Sequence, residues 1–140
     1  MFWDSSALVP LLIAEARSAQ MRALLAADRE PAIWWASPVE CQSALRRRQR
    51  ERTLASAAVR QALQRLRQLA EDVDVVAPTD PVRDAAGRSL AAHPLRAADA
   101  LQLGAALVWC DGASGQGFVC LDDRLRDAAA REGFEVLPEN

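Results

Sequence analysis

Short apolar runs alternate along the chain with longer stretches in which apolar residues recur every three or four positions. The first pattern suits buried strands and the second amphipathic helices, so the alternation predicts an α/β protein with a mostly parallel sheet. Residues 1–4 make a first short strand, and a helix follows from Ser5 or Ser6 to about Glu15. A second helix is expected from about Ser18 to Asp28. Pro31 then opens the run Ala32-Ile33-Trp34-Trp35-Ala36, a buried strand by its length and aromatic content. Ser37, Pro38 and Glu40 supply a serine cap, an early proline and a glutamate three residues past the cap, which together mark a helix start. That helix runs into the segment from Leu45 to Arg52. From Ala55 to about Glu71 a long helix places Val59, Leu63, Leu66 and Leu69 on one face.

The second half repeats the alternation. Residues 72–76 form a third strand, and Thr79-Asp80-Pro81 starts a helix that reaches about Ala92. His93-Pro94 breaks the chain before Leu95 to Trp109, a stretch apolar almost all round and therefore read as a buried helix. A glycine-rich loop spans Gly112 to Gly117. Phe118 to Leu121 is a fourth strand, Asp122 to Glu132 a helix, and Phe134 to Leu137 a terminal strand. The expected architecture is three layers, α/β/α, around a central sheet of four to five strands, with residues 1–140 as one domain.

Composition narrows the chemistry. The chain has 140 residues, of which 51% are hydrophobic and 26% charged, with a formal net charge of −2. No apolar run approaches the roughly 18 residues needed to span a membrane. Asp4 stands where a secretory signal carries positive charge, so no export signal is expected and the cytoplasm is the expected location. All 17 basic residues are arginine, which excludes a P-loop lysine and Schiff-base chemistry. The single histidine, His93, excludes paired-imidazole catalysis and takes no role. Cys41, Cys110 and Cys120 have no C-x-x-C spacing and read as reduced, buried small hydrophobes. Carboxylates remain in quantity: 19 Asp plus Glu.

Ligands of open parallel sheets gather outside the carboxyl ends of the strands. Asp4 closes the first strand and Asp122 the fourth, Glu40 lies in the first turn after the second strand, and Asp99 lies near the start of the apolar helix. Singly, each has a structural explanation. Asp4 and Asp122 suit helix N-caps, and Glu40 suits the return half of a capping box with Ser37. Asp99 differs, because an unpaired carboxylate on a buried helix costs several kcal/mol and calls for Arg96, a backbone cap or a cation. As a set, four carboxylates in one crevice repel one another unless a cation neutralises them. Hard oxygen donors without histidine or thiolate favour Mg²⁺ or Mn²⁺ over zinc. Such a metal binds phosphate oxygens and lowers the pKa of an attacking water, which points to hydrolysis of a phosphodiester.

At these residues the sequence resembles the PIN-domain ribonucleases, in particular the VapC-like toxins of bacterial toxin–antitoxin pairs. The resemblance spans essentially the whole chain. Phe2-Trp3-Asp4-Ser5-Ser6 is similar to the family's opening strand with its first metal-binding aspartate, and Ser37-Pro38-Val39-Glu40 to the segment carrying its glutamate. Leu95-Arg96-Ala97-Ala98-Asp99-Ala100-Leu101 is the most specific match, and Phe118-Val119-Cys120-Leu121-Asp122-Asp123 resembles the last strand and fourth acid. Cys120 departs from the pattern, which often has threonine or serine there, and leaves Asp123 as a competitor of Asp122. The resemblance implies a PIN-like fold and an Mg²⁺- or Mn²⁺-dependent endoribonuclease. Asp4, Glu40, Asp99 and Asp122 would bind metal and carry catalysis, with Ser6 supporting them. It further implies RNA as substrate, a cognate antitoxin as partner, and a homodimer.

Arg46, Arg47, Arg48, Arg50 and Arg52 form a cluster near the end of the helix bearing Glu40. A solvated helix end and RNA phosphate contact both suit it, and Arg46, Arg47, Arg48 and Arg50 are the candidates for RNA. Trp3, Trp34, Trp35 and Trp109 read as core packing more readily than as base-stacking residues. Two other functions fit parts of the pattern. One is a catalytically silent PIN-like protein whose acidic crevice grips an antitoxin or RNA. The other is an aspartyl-nucleophile phosphatase built on Asp4, against which stand Ser6 in place of a second acid and the absence of lysine.

Overall fold

The computed structural model describes residues 1–139. Among them five strands and seven helices follow in the order β1 (Phe2–Trp3), α1 (Ser5–Leu12), α2 (Ser18–Ala27), β2 (Ala32–Trp34), α3 (Ser37–Arg50), α4 (Ser56–Glu71). The chain continues with β3 (Asp74–Val76), α5 (Asp80–Ala92), α6 (Ala97–Trp109), β4 (Gly117–Val119), α7 (Asp123–Arg131) and β5 (Glu135–Leu137). The strands form one sheet in the order β3-β2-β1-β4-β5, and every pairing is parallel. The α/β/α expectation and the five-strand count hold.

The strands are short, β1, β2 and β4 are largely buried while the edge strands β3 and β5 are more exposed, and the two-residue pleat sends neighbouring side chains to opposite layers. Phe2, Ala32, Trp34 and Phe118 pack with Val82 of α5, Leu103 of α6 and Leu125 of α7. Trp3, Ile33 and Val119 pack instead with Leu8 of α1, Met21 of α2, Leu45 of α3 and Leu66 of α4. Helices α1–α4 therefore cover one face and α5–α7 the other. Phe2 stacks on Phe118 at 5.5 Å between ring centroids, which ties the two central strands together on the second face. Gly104 of α6 has no room for a side chain, since a Cβ would lie 2.7 Å from the Ala86 backbone nitrogen of α5. That close approach packs α6 directly against the backbone of α5. Among the described residues no helix is long and apolar enough to cross a membrane.

The sheet order has a physical consequence. The chain lays β2 and β3 on one side of β1, then crosses to place β4 and β5 on the other. The crossing leaves a crevice beyond the carboxyl ends of β1 and β4, where open α/β sheets bind ligands.

Several local expectations change. The second strand ends at Trp34, and Trp35 is 57% exposed, so the five-residue buried run and the core role for Trp35 are both corrected. Strand alternation does not extend past Trp34, because the Trp35 N–H already bonds to Val76 O at the sheet edge and the chain turns into α3. Helix α6 begins at Ala97 rather than Leu95, with Arg96 extended as its N-cap. Its first turn is open to solvent, and Asp99 is half-buried rather than enclosed.

Candidate functional site

Asp4, Glu40, Asp99 and Asp122 line a single cavity of about 210 Å³ together with Ser5, Ser6, Val9, Ala44 and Arg47. Each carboxylate arrives on a different element, and local chemistry explains each placement. Asp4 follows β1 directly and is the N-cap of α1, its side chain accepting from the Ser6 N–H at 2.9 Å. Asp122 follows β4 and is the N-cap of α7, accepting from the Leu125 N–H at 3.0 Å. Asp99 sits in the first turn of α6 and accepts from the Arg96 N–H at 3.3 Å. Of the three partners expected for Asp99, the structure supplies the backbone cap, from the Arg96 N–H. Asp99 thus has the backbone partner that a carboxylate at a helix start ordinarily finds.

Glu40 corrects another expectation. It makes no capping box with Ser37; Ala36 is the N-cap of α3 and no side chain caps that end. Glu40 instead accepts from Gln102 Nε2 at 2.8 Å, and the same amide donates to Ser37 Oγ at 3.0 Å. Gln102 is fully buried on α6. This bridge from α6 to α3 holds Glu40 toward the cavity, and reasoning from local spacing missed it. The signal present in sequence was a lone glutamine among apolar residues on α6, since a buried amide requires partners.

Asp4 is the deepest of the set, with 4% of its surface exposed. Burial pushes its carboxyl up to about 6, and the charge of Glu40 adds to the rise, while the hydrogen bonds from Ser6 oppose it. Ser6 donates its hydroxyl to Asp4 Oδ2 and accepts from the Leu121 N–H at 2.9 Å. The serine thus couples the end of β1 to the segment leading to Asp122. Cys120 lies behind the same groups, its thiol 3.6 Å from Asp4 Oδ2 and 3.7 Å from Ser6 Oγ. Burial pushes the Cys120 thiol up, and the Asp4 charge adds to it. Cys120 therefore acts as a neutral, weak donor and not as a thiolate. Cys41, also buried, donates to Ser5 O at 3.7 Å, and burial raises its thiol to about 12.

Of the two candidates for the fourth acid, Asp122 lines the cavity and Asp123 begins α7 beside it. Of the arginine cluster, Arg47 lines the cavity. Arg46 turns to Gln49 Oε1 at 2.9 Å, Arg48 pairs with Glu15, and Arg50 is exposed in the last turn of α3. The cluster fans around the helix, so one member faces the acids and the others point elsewhere. A cavity of about 520 Å³ between α1 and α4, lined by Leu12, Leu54 and Arg65 among others, is larger but brings no carboxylates together.

The donor set suits a hard divalent cation. The described lining offers carboxylate and hydroxyl oxygens and no imidazole, amine or thiol. The rise at Asp4 is the cost of burying a carboxylate near another, and a bound cation would offset it. Among the described residues no three His, Cys, Asp or Glu side chains are gathered into a compact ion-holding group. The acids share one cavity while each keeps a partner within the protein. No family model matches this chain, and no curated protein matches it.

Proposed function

We propose that the protein is an Mg²⁺- or Mn²⁺-dependent endoribonuclease of the PIN type, and that it serves as the VapC-like toxin of a toxin–antitoxin pair. The observation that carries the reading is the sharing of one cavity by Asp4, Glu40, Asp99 and Asp122, residues drawn from four separate stretches of the chain. These are the positions at which the sequence resembles the PIN-domain ribonucleases. A strictly structural set of helix caps has no reason to converge there, and Glu40 caps nothing.

In this reading Asp4, Glu40, Asp99 and Asp122 hold the divalent cation. The cation supplies charge for a phosphate oxygen and lowers the pKa of the attacking water. Ser6 fixes the Asp4 carboxylate, and Gln102 fixes that of Glu40. Arg47 is the cationic side chain on the cavity and orients the RNA phosphate against the repulsion of the acids. Catalysis then needs no side-chain nucleophile, which accords with the buried neutral thiol of Cys120 and with His93 lying away from the cavity against Glu132. A cognate antitoxin and a second copy of the chain are the partners this reading brings with it.

The test is cleavage of RNA by the purified protein with Mg²⁺ or Mn²⁺, with EDTA, and as the Asp99→Asn variant. Metal-dependent cleavage that both controls lose supports the proposal. Full activity in Asp99→Asn or in EDTA overturns it, and metal binding without cleavage of any RNA would favour a silent protein that uses the crevice for binding alone.

A further inference from the structure

The charge of this chain is segregated. Of its 17 arginines and 19 acids, eight arginines but a single acid, Glu51, lie between positions 41 and 70. Those positions make up most of α3 and α4 and the turn between them. The remainder of the chain carries twice as many acids as arginines. A polyanion approaching the protein is therefore drawn to the α3–α4 hairpin and repelled elsewhere.

The arginines of the hairpin differ in what they already hold. Arg48 is paired with Glu15, Arg65 donates to Leu12 O at 2.9 Å, and Arg46 donates to Gln49 Oε1. Arg47, Arg50 and Arg52 are exposed and have no side-chain hydrogen bond or ion pair among the described residues. These three follow one another away from the acidic cavity. Glu40, Ala44 and Arg47 line that cavity at successive turns of α3. Arg50 neighbours Arg47 at a spacing of three, and Arg52 lies just past the end of the helix. From Glu40 to Arg50 the helix rises about 15 Å, the span of about four stacked nucleotides.

A helix dipole alone does not account for this row. Arginines in a last turn suit the negative end of a helix, but Arg52 lies beyond it with a left-handed backbone, φ 59°. Its N–H bonds to Gln49 O and the Thr53 N–H to Arg48 O, a closure at which glycine is the usual residue. An arginine there strains the backbone and a glycine would not. Arg52 thus keeps a free guanidinium at a position whose backbone favours glycine.

We infer that the RNA strand leaves the carboxylates along α3, with Arg50 and Arg52 holding the phosphates beyond the one that meets Arg47. The inference rests on the ribonuclease reading for its ligand. RNA is favoured over an acidic protein because the row begins at the cavity itself, on the helix that carries Glu40. Contacts of this kind reach the backbone and not the bases, so they add affinity and position without choosing a sequence.

The experiment measures binding of a fluorescein-labelled single-stranded RNA, in EDTA, by anisotropy over a series of salt concentrations. Wild type is compared with Arg50→Gln, with Arg52→Gly and, on the opposite layer, with Arg88→Gln. Each lost phosphate contact on a single strand should reduce the slope of log affinity against log salt by about 0.7. Arg50→Gln and Arg52→Gly should each show that reduction, and Arg88→Gln none. Arg52→Gly should unfold at no lower urea concentration than wild type, which separates lost binding from a damaged fold. Wild-type slopes in both variants, or no binding by wild type at low salt, overturn the inference, and leave the ribonuclease reading intact if metal still supports cleavage. The expected slopes in a protein that cleaves no RNA with metal retain the phosphate contacts and remove the nuclease. Equal competition by poly-glutamate, lost in the same variants, overturns the inference in favour of an acidic protein partner.

Discussion

The two helical layers each contribute two acids to the cavity, and they hold them in contrasting ways. From the α1–α4 side, Asp4 is deeply buried and Glu40 is gripped by a buried amide from the opposite layer. From the α5–α7 side, Asp99 and Asp122 sit at the starts of α6 and α7, each bonded to a backbone N–H that needed an acceptor in any case. Asp4 is costly to the metal-free fold, because burial raises its carboxyl to about 6. The second pair is satisfied without a cation. A helix cap therefore explains Asp99 and Asp122 locally but accounts for only part of Asp4 and none of Glu40. On the proposed function, the α1–α4 side is the half of the site that a cation would complete.

The largest expected effect separates the halves by activity. Asp4→Asn preserves a good N-cap for α1 but removes the deepest carboxylate. Cleavage should fall by more than about 100-fold, beyond what losing a supporting partner of a metal ligand costs. Kinetic assays in the same excess of Mn²⁺ for both proteins, with an unchanged circular dichroism spectrum, check it, and retention of activity would put the chemistry on the α5–α7 side.

Next in size is a pH dependence that belongs to Asp4. Its carboxyl lies at about 6 in the fold against 3.8 for an unburied aspartate. The folded state thus holds this proton more tightly than the unfolded chain, and the Asp4 contribution to stability falls as pH rises from about 4 to about 6. The total is about 3 kcal/mol at pH 7, by the free energy of a pKa shift. Urea unfolding in EDTA across that range should show the loss in wild type and its absence in Asp4→Asn. Parallel curves for the two proteins would mean that the buried carboxylate is not under electrostatic stress.

Gln102→Leu frees Glu40 without touching any acid, and should lower cleavage by roughly 10–100-fold, while adding little further in an Asp4→Asn background; kinetic assays of the single and double variants check both. The smallest effect tests the α5–α7 side. Asp122→Ala should destabilise the fold by about 1 kcal/mol through loss of the α7 cap, and Asp122→Asn by far less. Chemical denaturation measures both, and equal stability of all three proteins would remove the capping explanation for Asp122.

Much of this organisation is readable before any coordinates. The alternation of short apolar runs with amphipathic stretches specifies the strand–helix order, because the central strands β1, β2 and β4, buried on both faces, have no charged positions to interrupt them. Asp4 and Asp122 are visible as acids that close strands and open helices. What local reading misses is set by distant contacts. Glu40 looks like half of a capping box until Gln102, 62 residues away, takes its carboxylate. Trp35 looks like core until the chain turns away from the sheet one residue earlier. Asp99 looks enclosed because its helix is apolar, yet the first turn of α6 projects past the packed region. Among the arginines, helical rotation alone decides that Arg47 lines the cavity while Arg48 meets Glu15.

The most direct measurement is calorimetric titration of Mn²⁺ into the wild-type protein and into Asp4→Asn at neutral pH. Binding to the wild type is expected and Asp4→Asn should abolish it, although the variant should be the more stable of the two without metal. Equal binding by both proteins, or none by the wild type, would contradict it.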